Sequence, residues 1–261
     1  MRINVHAGHN PSGKIACGAV GLLNESDENR RVKDLVISKL RELGHEVFDC
    51  TVDNGKSQSD VLVKIVNKCN AHNVDLDISI HFNAGANDTE GNGKSCGTEV
   101  LVYDLDGNAV EYAERVVKEI SALGFKNRGV KERHNLYVLR KTSAPSILIE
   151  CCFVDDKDDC NLYDIEKMSD AIVKGITGTL PTYKPSTPPP VPNKEEKTLY
   201  YPKYNGKSTS IVDALNSLGI NSSKGHRKEI AQANGIFDYA YSAVHNVALL
   251  ELLKKGLLKR E

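Results

Sequence analysis

The 261-residue chain is 40% hydrophobic and 26% charged with a formal net charge of −1, the balance of a globular protein long enough for one substantial domain and a small one. No run approaches the roughly 18 consecutive apolar residues of a membrane span, which argues against membrane insertion. The seven cysteines are odd in number and contain no Cys-x-x-Cys pair, against both a disulfide framework and a cysteine zinc knuckle.

In chain order, Arg2 to His6 reads as a first strand. No apolar segment with a cleavage site precedes it, so no export signal is expected. The strand breaks at Ala7-Gly8-His9-Asn10-Pro11, which places His9 just past its C-terminal end. After a glycine-bearing loop, Glu25 precedes a helix over about Asp27 to Leu43, with Val32, Leu35, Val36 and Leu40 on one stripe and Gly44 as its stop. Glu46 to Cys50 is a second strand and Ser57 to Ala71 a second helix. In Asp75 to Ala84, Leu76, Ile78 and Ile80 share one face at period two. Asp75, Asp77, Ser79 and His81 share the other, polar face, and the strand delivers His81 and then Asn83. A glycine-rich loop leads to the strand Gly97 to Tyr103 and a helix over about Asn108 to Leu123. Asn127-Arg128-Gly129 is turn-like, Leu136 to Leu139 strand-like, and Pro145 to Ile149 a buried strand with Glu150 at its end. A helix over about Asp164 to Ile176 closes this part.

Strands alternating with helices predict an α/β fold, a twisted mixed sheet of about six strands covered by helices on both faces. Ligands of such sheets gather at the C-terminal ends of strands, a rule that singles out His9, His81 and Glu150 together. Two histidines suit a catalytic zinc, which takes three protein ligands and leaves one position open. The third ligand remains open at this point among Glu25, Glu99, Glu150 and His6.

Six of the nine prolines fall in Pro181 to Pro192, so 181–197 reads as a semi-rigid linker between a first domain, 1–180, and a last module, 198–261. Residues 1–180 hold 22 Lys+Arg and 28 Asp+Glu, a net −6, whereas 181–261 hold 12 and 7, a net +5. The last part reads as a small all-α module, with helices over Ser210 to Leu218, Lys224 to Ala233 and Tyr241 to Leu253. Its basic charge suits an anionic partner such as a wall polymer. No recognisable nucleic-acid reading motif accompanies that charge, so nucleic acid is not expected as a partner.

Other candidate motifs fail. His45-Glu46-Val47-Phe48-Asp49 lacks the second histidine of a zincin, and Gly93-Lys94-Ser95 and Gly206-Lys207-Ser208 lack the first glycine of a phosphate-binding loop. Cys151 and Cys152 have no identifiable base that would make either a nucleophile.

Seven ordered segments carry a specific resemblance. Val5-His6-Ala7-Gly8-His9, Gly21 to Glu25 with Asn29, Ser79 to Asn83, Gly97-Thr98-Glu99, Asn127 to Val130, Val138-Leu139-Arg140 and Pro145 to Glu150 resemble the zinc-dependent N-acetylmuramoyl-L-alanine amidases of the amidase-3 type. The resemblance implies zinc on His9, Glu25 and His81, with Glu150 as the catalytic carboxylate. It implies hydrolysis of the amide between N-acetylmuramic acid and L-alanine in peptidoglycan, with Asn83 and Arg128 as substrate contacts. The chain departs from the family where His6 replaces an Asp, Asn10 a Gly, and Cys151-Cys152 the usual x-Gly. Tyr200-Tyr201-Pro202-Lys203-Tyr204 and Asn234-Gly235-Ile236 resemble C-terminal wall-binding modules of Bacillus and Clostridium phage lysins and autolysins. Together these imply an endolysin or autolysin made in the cytoplasm and released onto the wall through a holin or lysis. The alternatives are a zinc peptidoglycan endopeptidase and a wall-binding protein without activity.

Overall fold

A computed structural model describes residues 1–181 and 200–260, apart from 235, 237, 238 and 240–242. The expected linker lies outside the described residues except for Pro181, as do Gly235 and Tyr241. The chain divides into two compact units, 1–182 and 183–261.

The first unit is built on six strands: β1 (Arg2–Ala7), β2 (Glu46–Asp49), β3 (Leu76–Asn83), β4 (Thr98–Val102), β5 (Asn127–Glu132) and β6 (Ser146–Phe153). They lie in the order β2-β1-β3-β6-β4-β5. The first four in that order run parallel, and β4 meets β6 antiparallel. This reversal brings the start of β4 to the sheet edge where β1, β3 and β6 finish, so Glu99 lies level with Glu150.

Helices cover both faces. One face carries α1 (Glu25–Glu42), α3 (Val110–Ser121) and α6 (Ile165–Thr177), packed through Val32, Val36, Val116, Ile120, Met168 and Ile172 onto Ile3, Val5, Ile78, Ile80, Ile147 and Ile149. The other carries α2 (Gln58–Asn70) and α4 (Tyr137–Lys141), packed through Val61, Ile65 and Val138 onto Leu101 and Leu148. Burying each such side chain contributes about 1.5–3 kcal/mol. A further helix, α5 (Lys157–Leu162), follows β6.

Several expectations need correcting. Leu136 to Leu139 starts the helix α4, and Asn127-Arg128-Gly129 begins β5, with Gly129 at φ +80°. Glu25 is the first residue of α1, capped by Asn24, whose side chain accepts from the Ser26 amide. Glu150 lies inside β6, which continues to Phe153. The polar face of β3 is buried beneath α2, as helices on both faces require: Asp77 and Ser79 are each 1% exposed. Asn4 Nδ2 satisfies Asp77 Oδ1 at 2.6 Å and the Cys69 carbonyl at 3.0 Å.

The second unit contains α7 (Ile211–Ser217), α8 (Lys224–Ala233) and α9 (Ala243–Lys255) among its described residues. Ile211, Leu215, Ile230, Leu249, Leu250 and Leu253 form its core. Tyr201, Tyr204 and Tyr239 belong to that core and present no open ring faces for sugar stacking. No helix of the described residues is long and apolar enough to cross a membrane.

Candidate metal and catalytic site

Strand register lays out the site as a row across the sheet. The Gly8 amide donates to the Ile80 carbonyl, beside His81; His81 pairs with Glu150, and Glu150 with Glu99. An ion pair extends the row to Arg128 on β5.

Three side chains converge at its first half. His81 Nδ1 lies 3.0 Å and His9 Nε2 3.4 Å from Glu25 Oε1, and one ligand atom from each residue falls within 4.8 Å of the others. Ligands bonded at about 2.0–2.1 Å around a tetrahedral zinc stand about 3.3 Å apart, close to the two distances from Glu25, so the His-Glu-His set suits such an ion. Glu25 is 3% exposed. Its burial opposes charge, but hydrogen bonds with His81 and His9 outweigh that and hold the carboxyl far below the usual range. Its Oε2 accepts from the Ala19 amide at 2.8 Å and its Oε1 from the Phe82 amide at 3.2 Å.

The backbone is shaped around these side chains. A Cβ at Gly8 would stand 2.0 Å from His81 Cε1, and one at Gly18 would stand 2.4 Å from Glu25 Oε2. Only glycine admits the two side chains there. His9 adopts a left-handed φ of +63°, a conformation uncommon outside glycine. Arg30 holds it there by donating to the His9 carbonyl at 2.9 Å, while Asn29 Nδ2 donates to the Gly8 carbonyl at 3.0 Å.

Glu150 stands one strand away from His81, and its Oε2 is buried with no hydrogen-bond partner among the described residues. Burial first, then the negative charges of Glu25 and Glu99, push its carboxyl up to about 8. Such a carboxyl is poised to take and release a proton near neutral pH.

Glu99, 5% exposed, gathers the remaining candidates. Its Oε2 accepts from Arg128 Nε at 2.6 Å and from Lys131 Nζ at 2.5 Å, and its Oε1 from Asn83 Nδ2 at 3.3 Å. Although burial opposes ionisation, the two cations keep this carboxyl below its ordinary value. The Arg128 guanidinium also lies 5.0 Å above the Phe153 ring. Lys131 and Arg30 escaped the sequence reading, the first because β5 read as a turn. The loop joining Asn83 to Glu99 is pinned by three carboxylates: Asp155 accepts from the amides of Gly85, Ala86 and Asn87, Asp158 from those of Asn92, Gly93 and Lys94, and Asp159 from that of Gly97.

His6 does not join the ligand set. It is 1% exposed, with its Nδ1 3.5 Å from Ser79 Oγ, and burial followed by the neighbouring His81 lowers it to about 3, so it is neutral. Cys151 and Cys152 are fully buried, and burial raises both thiols well above their ordinary value, which leaves no reactive thiolate. A second grouping, half-buried Asp104 with exposed Glu132 and His134, lies at the C-terminal ends of β4 and β5, away from the row.

The family described as N-acetylmuramoyl-L-alanine amidase (Amidase_3) matches residues 3–180. An uncharacterized protein of Clostridium perfringens is 40% identical over 177 residues, 67% of this chain and 50% of that protein. The endolysin of Bacillus phage SPP1 is 29% identical over 65% of this chain and 60% of its own length. Among solved structures, the catalytic domain of the CD27L endolysin targeting Clostridia Difficile is 30% identical with a TM-score of 0.61, covering 69% of this chain and 98% of that domain. The chain spans about half the length of the Clostridium perfringens relatives it matches.

Proposed function

The chain belongs to the N-acetylmuramoyl-L-alanine amidase family Amidase_3, and on that premise we propose that it hydrolyses the amide between the lactyl group of N-acetylmuramic acid and L-alanine in peptidoglycan, with zinc as its metal. His9, Glu25 and His81 hold the ion, whose chemistry when bound is to acidify water and polarise a carbonyl. Glu150 takes the proton of the attacking water and hands it to the departing amine. The observation that carries this reading is the buried Oε2 of Glu150, without a hydrogen-bond partner among the described residues and level with His81 on the neighbouring strand. Asn83 and Arg128, oriented by Glu99, contact the stem peptide beyond that nitrogen.

The similarity to phage endolysins supports a lytic enzyme made in the cytoplasm and acting on the wall after release through the membrane. The basic residues 181–261 supply attraction to anionic wall polymers. Product analysis of digested purified wall tests the assignment. Free stem peptides beginning with alanine are expected, abolished by a chelator and restored by zinc. Products that keep L-alanine on the sugar would convict an endopeptidase instead, and chelator-resistant lysis would refute the metal.

A further inference from the structure

The row across the sheet has a direction, and a cavity borders it at the His9 and His81 end. About 30 Å³ in volume, the cavity is bordered by Gly8, His9 and His81 where it meets the ligand set. Val61 and Leu62 of α2 and Val138 of α4 also line it, as do the buried His6 and Ser79. Among the described residues, none from β6, β4 or β5 lines it. The opposite end, beyond Glu150, carries Glu99 with Arg128, Lys131 and Asn83.

We propose that this cavity is the acyl subsite: it receives the methyl group of the lactyl moiety next to the scissile carbonyl, while the peptide leaves across Glu99 and Arg128. The assignment rests on the amidase reading above, in which Glu150 protonates the departing nitrogen. With the nitrogen turned toward Glu150, the other substituent of the carbonyl carbon points back past His81 toward Gly8 and α2. That substituent carries a single methyl branch. A space of this size, enough for about two water molecules, suits a short apolar branch, and each added methylene must find room against these walls. Three aliphatic walls favour an apolar occupant, and neutral His6 adds no charge to repel one. The cationic and amide groups at the far end match the carboxylates and amides of a peptide stem.

The test varies the two sides of the substrate separately. Soluble muramoyl dipeptides are compared in which the lactyl methyl is kept or lengthened to ethyl, and in which L-alanine is kept or replaced by L-valine. The wild-type chain should favour lactyl over the ethyl analogue by about 10-fold or more in kcat/KM, the range a pocket filled by one methylene can impose. Val138→Ala, and separately the partly exposed Leu62→Ala, should bring that ratio down by about fivefold and leave the alanine-to-valine ratio within about twofold. Ratios do not depend on the fraction of variant that folds. As a readout without turnover, N-acetylmuramic acid should shift the Val61 and Val138 methyl resonances, and L-alanyl-D-isoglutamine should not. If the variants move the alanine-to-valine ratio instead, the substrate runs the other way; if they move neither, the cavity holds water only; either result overturns the proposal. A wild-type chain that cleaves no muramoyl amide overturns the amidase reading, and the subsite with it.

Discussion

Replacing Glu150 by glutamine should stabilise the metal-free protein at alkaline pH while removing its activity. The buried carboxyl rises from the ordinary 4.5 to about 8 on folding. A group raised in this way lends its full stability below the unfolded value of 4.5 and loses it progressively until the pH passes about 8. At 1.36 kcal/mol per pH unit, the wild type loses about 5 kcal/mol by pH 9 and under about 1 kcal/mol by pH 5. Glutamine keeps the shape, never ionises, and escapes this loss. In chelator-treated protein, Glu150→Gln should therefore melt about 10 °C or more above the wild type at pH 9 and within a few degrees of it at pH 5. Zinc should narrow the alkaline gap, because a nearby dication favours the charged carboxylate. Melting curves across pH, with and without chelator, measure the effect. A Glu150→Gln stability difference that does not change with pH would refute the reasoning about burial, and full wall hydrolysis by the variant would refute the catalytic role.

Gly18→Ala should evict Glu25 from the ligand set, because the new Cβ would stand 2.4 Å from Oε2. Metal content after dialysis should show zinc affinity weakened by about 10–100-fold or more, with an unaltered far-UV spectrum; normal zinc retention would show that the carboxylate is not a ligand. Glu99→Gln should free Arg128, Lys131 and Asn83 from their shared partner. Steady-state kinetics on soluble muramoyl peptides should show KM rising by about 10-fold, near the 1.4 kcal/mol scale of one charge-assisted contact, with zinc content unchanged. An unchanged KM would mean the cluster supports the fold without touching substrate.

The strands were readable from two patterns: β3 alternates, with Ile78 and Ile80 facing the side covered by α1, α3 and α6, whereas Ile147-Leu148-Ile149 is a continuous apolar run buried on both faces. Short elements misled, since the five residues of α4 contain too little period to separate helix from strand, and Gly129 with φ +80° made the start of β5 look like a turn. Alternation in β3 reports that its two faces differ, not what covers the second. The cover is α2, and partners such as Asn4, 73 residues away from Asp77, supply the hydrogen bonds.

At the candidate site, the sequence by itself determined which residue types stand at the strand ends, and His9, His81 and Glu150 could be named from that alone. Strand-end position left the third ligand open among Glu25, Glu99, Glu150 and His6, and the family resemblance pointed to Glu25. The tertiary structure shows what surrounds each of them. The start of α1 carries Glu25 between the two imidazoles, 56 residues from His81 in sequence. The reversed strand β4 instead sets Glu99 beside Glu150, where Arg128 and Lys131 neutralise it. His6 turns its ring beneath α2 toward Ser79. Strand direction and helix placement arise from packing between distant segments, and a carboxylate acquires its role from the charges that packing brings within a few ångströms of it.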